Sequence, residues 1–132
     1  MQLSPELIRN GDFAAEAAWT MGTNWTYLTG EAAFNGSETG DVSQPINIIE
    51  GHTYRVVYTI VSISSCSVTP YIGGVAGTAR TSTGTYTEDI TATGKTDNLA
   101  KFRGATTNGA GTISIDDVSV KEVYSCLLAK QV

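Results

Sequence analysis

The stretch "TYRVVYTIVSI", residues 53–63, alternates over more than ten positions and so constrains the fold more than any other part of the chain. Side chains on a strand point to opposite faces with period two. Tyr54, Val56, Tyr58 and Ile60 therefore share one face, and Arg55, Val57, Thr59 and Val61 the other. Both faces are largely apolar or β-branched. The pattern predicts a central strand covered on both sides. A strand of this kind needs a sheet around it, and the rest of the chain supplies short segments of the same type.

"NWTYLTG" (24–30), "EAAFNG" (31–36), "DVSQPINII" (41–49), "CSVTPYIGG" (66–74), "GTYTEDITA" (84–92), "NLAKFRGAT" (98–106) and "GTISIDDVSVKEV" (111–123) read as strands. "ELIRNGDF" (6–13) reads as a first strand ending in a turn at Asn10-Gly11. Asn35-Gly36 and Asn108-Gly109 are further turn signals, and Gly73, Gly74 and Gly77 break the "TPYIGG" segment into a loop. Pro45 cannot donate to a ladder, so its strand lies at an edge or carries a break. "AAEAA" (14–18) has helical propensity but is too short to stand alone. About eight to ten short strands between turns predict an all-β fold, an antiparallel sandwich or barrel.

"TISIDDVSV" (112–120) carries a parity change. Its apolar residues are Ile113 and Ile115 before the two aspartates, and Val118 and Val120 after them. A β-bulge at Asp116 and Asp117 keeps all four in the core. The same geometry argues against catalysis by the pair. General acid–base work on a glycoside needs two carboxyls facing one substrate, and adjacent strand residues diverge. His52 stands alone in a turn and is expected in solvent. No nucleophile elbow, His-Glu-x-x-His or phosphate loop is present. The chain reads as a non-enzyme.

The 132 residues fit one domain. A net charge of −5, with no run of Lys and Arg, argues against nucleic acid as a partner. No stretch approaches a membrane span. "MQLSPELIRNGDF" has no apolar h-region, so no signal peptide is expected. Cys66 and Cys126 match no metal spacing and read as thiols in a reducing compartment, with pairing left open by the count alone. "NWT" and "NGS" match the N-glycosylation pattern only by chance on that reading.

"LIRNGDF", a Trp shortly after it, "GHTYRVVYTI", "GTYTEDITA", "KFRG" and the closing "GTISIDDVSVKEV" occur in an order that resembles carbohydrate-binding-module-like jelly rolls. These belong to the galactose-binding-like group, close to carbohydrate-binding modules of families 4, 9 and 22. The Ser/Thr/Gly-rich strands, the "TPYIGG" segment and the terminal "VSVKEV" look most like copies in tailed-phage structural proteins. The resemblance covers about residues 7–123. It divides the chain into an N-terminal arm (1–6), a jelly-roll β-sandwich (7–123) and a C-terminal tail (124–132).

The resemblance implies that the first and last strands meet, bringing "NGDF" and "IDDVSV" together. It also implies a structural calcium at that junction, with Asp116 and Asp12 as ligands; Ala14 stands where the family often has another acid. A glycan site needs exposed aromatics. Trp19 and Tyr58 read as core, which leaves Trp25, Tyr27 and Tyr71 as the candidate sugar-binding residues. The apolar tail "YSCLLAKQV" is expected to fold back on the sandwich or to dock on a partner. Two functions are expected. One is a phage virion structural protein, a capsid decoration or a tail or fibre component, made in the host cytoplasm and contacting other virion proteins or copies of itself. The other is a stand-alone carbohydrate-binding module that recognises a surface glycan.

Overall fold

The computed structural model describes residues 2–124, and every regular element among them is a strand. In chain order these are β1 (Gln2–Leu3), β2 (Thr20–Met21), β3 (Trp25–Leu28), β4 (Glu31–Gly36), β5 (Gly40–Pro45), β6 (Thr53–Ser64), β7 (Cys66–Ile72), β8 (Val75–Ala76), β9 (Gly84–Thr91), β10 (Leu99–Thr106) and β11 (Gly111–Tyr124). They form two antiparallel sheets. One runs β3-β4-β11-β6-β9, with β1 added on β11, and the other runs β2-β5-β10-β7-β8. This is the all-β jelly-roll sandwich expected from the sequence.

The core lies between the sheets. Phe102 of β10 meets Tyr58 of β6 with ring centroids 4.8 Å apart, joining the two layers. Trp25 packs edge-on against Phe34 at 5.4 Å. The expected bulge is present. The pairing of β11 with β6 slips between Asp116 and Ser119, and Asp117 takes a φ of 52°. The slip lets Ile113, Ile115, Val118 and Val120 all face inward, and all four are buried. Pro45 is the last residue of β5, beyond the reach of β2, which pairs only with Val42 and Ser43.

Three expectations are corrected. First, β6 is central between β11 and β9, but only one face of it is covered. Tyr54, Val56, Tyr58 and Ile60 are buried, whereas Arg55, Val57 and Thr59 are half-buried and Val61 is exposed. The outward β-branched residues suit the pleat and its cross-strand pairs rather than a second core. The Thr59 and Thr85 hydroxyls, for example, lie 2.8 Å apart. Second, Asn35 and Gly36 end a strand instead of making a turn, and the chain reverses before β4 at Thr29 and Gly30, both with positive φ.

Third, residues 6–13 do not form a regular strand. They run beside β11 and are held by scattered bonds, such as the Leu7 N–H donating to the Val120 carbonyl at 3.0 Å. The buried Gln44 side chain completes this segment. It accepts from the Arg9 N–H at 3.0 Å and donates to the Arg9 carbonyl at 2.9 Å. Within the N-terminal arm, Gln2 lies opposite Tyr124 and Leu3 opposite Val123. Tail residues 125–132, with Cys126, lie outside the described residues. Cys66 is buried.

Candidate functional site

Strand alternation sorts β10 into two sets. Ala100, Phe102 and Gly104 face the core, while Lys101 and Arg103 stand on the open face of the five-stranded sheet. The ladder sets their neighbours. Arg103 lies opposite Asp41 on β5 and Thr69 on β7, and Lys101 lies opposite Ser43 on β5 and Tyr71 on β7. Four chemistry-bearing side chains thus meet on three adjacent strands.

Their contacts are specific. Arg103 Nε donates to Asp41 Oδ1 at 2.8 Å and Nη2 to Asp41 Oδ2 at 3.0 Å, a two-pronged pair that holds the guanidinium flat. Its Nη1 donates to the Tyr71 hydroxyl at 3.1 Å. The guanidinium carbon lies 4.6 Å from the Tyr71 ring centroid, and Lys101 Nζ lies 5.5 Å from it, so both cations engage the same ring. Lys101 Nζ is 3.9 Å from Asp41 and 3.6 Å from Asp97, within ion-pair range but beyond hydrogen-bonding distance. The hydrogen bonds that Arg103 donates to Asp41 raise the Arg103 pKa above the ordinary arginine value. Side-chain exposures of 37% for Arg103 and 30% for Asp41 leave both partly in solvent. The cluster offers unspent N–H donors, carboxylate acceptors and an aromatic ring side by side.

The three candidate sugar-binding residues are not brought together. Tyr71 belongs to this face. Trp25 is a core residue, 3% exposed, with its indole N–H donating to the Gly40 carbonyl at 2.9 Å. Its side of β3 faces the opposite sheet, so it has no ring surface to offer a sugar. Tyr27 sits on the other sheet, half-buried, with its hydroxyl donating to the Ala17 carbonyl at 3.0 Å. Arg103, Lys101 and Asp41 were not among the candidates. The i, i+2 spacing of the two cations across buried Phe102 was the available signal.

Asp12 and Asp116 do come to one junction, where the Val118 N–H donates to the Gly11 carbonyl at 2.9 Å. Burial, joined by the nearby charges of Asp117, Glu31 and Asp12, pushes the Asp116 carboxyl above its ordinary value, while the Asp117 N–H donating to it pulls the other way. Each carboxylate also serves its own loop: Asp116 Oδ1 accepts from the Asp117 N–H at 2.7 Å, and Asp12 Oδ1 from the Ala14 N–H at 3.2 Å. Among the described residues no three His, Cys, Asp or Glu side chains converge to hold a metal. Calcium takes about six to eight oxygens, backbone carbonyls and water included, so a site at this junction would draw most of its ligands from those. His52 is exposed, with Nδ1 2.6 Å from Glu122 Oε2.

No protein-family model matches the chain, and no curated protein matches it. Solved structures do. The enzymatically active domain of tailspike protein 4 of bacteriophage CBA120 superposes with a TM-score of 0.59 at 12% identity, over 89% of this chain and 21% of that one. This chain therefore spans about a fifth of the tailspike domain's length. The mannan-binding module from Man5C gives 0.54 at 18% identity, over 83% of this chain and 96% of the module. The N-terminal cellulose-binding domain of a Cellulomonas fimi β-1,4-glucanase gives 0.53 at 22% identity, over 82% and 90%. Two antiparallel sheets, the strand order and these superpositions make the fold a carbohydrate-binding-module-like jelly roll.

Proposed function

We propose that this chain is a non-catalytic carbohydrate-recognition module, carried on a tailed-phage particle and working through the open face of its five-stranded sheet. The observation that carries the reading is the Tyr71–Arg103–Asp41–Lys101 cluster. Sugar hydroxyls both donate and accept hydrogen bonds. A patch that pairs cationic donors with a carboxylate beside an aromatic ring suits them. The mannan- and cellulose-binding neighbours support glycan as the ligand class, and the tailspike neighbour supports the particle setting. Calcium is not required for this reading, because the cluster is built on β5, β7 and β10 and the Asp12–Asp116 junction lies beside β11.

A glycan array probed with the wild-type chain, Tyr71→Ala and Arg103→Ala tests the recognition. Hits that disappear in both variants support it, and an array with no hit for the wild-type chain at millimolar concentration refutes it. The particle setting and any self-association are tested by sedimentation with particles of the source phage, with and without residues 125–132. Co-sedimentation of the full chain supports the setting, and recovery only as a free monomer removes it.

A further inference from the structure

We infer that this face recognises a short sugar epitope, one or two units at a chain end, rather than the run of a long polysaccharide. The inference rests on the glycan reading of the same face and adds the length of what it grips.

Every aromatic ring of the chain has a place in the structure. Phe13, Trp19, Trp25, Phe34, Tyr54, Tyr58 and Phe102 are buried. Tyr27 and Tyr86 pack against the core, and Tyr124 ends β11. Tyr71 is left as the sole ring on the open face of the five-stranded sheet. The outward positions around it carry no ring: Ser43 and Pro45 on β5, Ser67 and Thr69 on β7, and Leu99 and Ala105 on β10. A polysaccharide laid along the sheet would find no second ring to stack on.

The polar groups are as confined as the ring. Asp41, Arg103, Lys101 and Tyr71 occupy three neighbouring strands and two successive outward rows. At strand spacings of about 4.8 Å and a rise of about 3.4 Å per residue, the cluster covers roughly 10 by 7 Å, the footprint of one or two pyranose rings. Beyond it the outward positions of β5, β7 and β10 are uncharged, with Ser67, Thr69 and Ala105 on one side and Leu99 and Pro45 on the other. At one end Asp97 and its loop close over the turn between β7 and β8, where the Thr96 N–H donates to the Gly73 carbonyl at 2.8 Å.

Isothermal titration with manno- and cello-oligosaccharides of one to six units tests the inference, beside a glycan array that displays the same sugars at several lengths. Affinity is expected to reach its plateau by the disaccharide and to change by less than about threefold from two units to six. Array hits whose shortest member is a mono- or disaccharide give the same support. A rise of more than about tenfold between two and six units, or array hits confined to chains of four or more, overturns the short-epitope inference while leaving the glycan reading in place. Silence in both titration series and across the array overturns the glycan reading itself.

Discussion

Arg103 and Asp41, 62 residues apart in sequence, face each other across β10 and β5 with two parallel N–H to carboxylate bonds of 2.8 and 3.0 Å. The pair fixes the plane of the guanidinium that engages Tyr71. Asp41→Ala releases one side of that plane. Because both side chains are partly in solvent, the stability cost is expected to be at most about 1 kcal/mol. The larger effect falls on Tyr71, whose hydroxyl keeps a donor that is no longer anchored. Urea melts and the glycan array together check this, with near-wild-type stability and weakened binding as the expected outcome.

The Asp116 carboxyl has its pKa raised in the fold, chiefly by burial. A raised carboxyl binds its proton more tightly in the folded than in the unfolded state. Stability therefore falls as pH rises from the ordinary aspartate range through the folded value, and stays lower above it. Asp116→Asn keeps the acceptor for the Asp117 N–H and removes the charge. It is expected to stabilise the protein at pH 7 by about 0.5 kcal/mol and to lose that advantage in acid. Urea midpoints at neutral and acid pH check both halves.

Calcium and chelator are expected to leave the melting temperature unchanged. A ligand that binds only the native state must raise it, and the carboxylates at the junction build no cage among the described residues. A melting temperature that rises with millimolar calcium and falls with chelator would overturn this.

Gly11 tests the junction by sterics. A Cβ there would run into the backbone carbonyl of Val118 and come within 3.2 Å of Ile8 Cγ2. Backbone cannot step aside as a flexible side chain can. Gly11→Ala is expected to cost about 2 kcal/mol, read as a lower urea midpoint.

Tyr58 is fully buried, its hydroxyl meets no partner at hydrogen-bonding geometry among the described residues, and desolvation pushes its pKa up to about 12. The Arg80 guanidinium beside it offsets part of that cost. Tyr58→Phe keeps the ring contacts with Phe102 and Tyr86 and is expected to change stability by less than about 0.5 kcal/mol, checked by thermal melts.

Local patterning made much of the fold legible. Alternation located the strands, and the parity change around Asp116 and Asp117 located the bulge, because both are properties of consecutive residues. Which face of a strand turns inward is settled by the whole sandwich. Trp25 could therefore be read as an exposed platform, and the outer face of β6 as buried. The site was less legible still. Tyr71 could be singled out as an aromatic, but its partners come from β5 and β10, and only the strand order places Asp41 and Arg103 on either side of the same ladder. Residues 6–13 misled for another reason: their backbone is satisfied by Gln44 and by scattered bonds to β11 instead of a ladder.

The pairing of Gln2 with Tyr124 has a consequence for how the module can be carried. Residues 2 and 124, the limits of the described chain, lie side by side on antiparallel strands. A host protein could accept residues 2–124 within a surface loop while its own strands moved apart by little more than one strand spacing, about 5 Å. For the same reason a short linker should join the old ends, so that a circular permutant opened at Gly109 should fold. Between residues 2 and 124 the fold is in this sense a closed loop of chain.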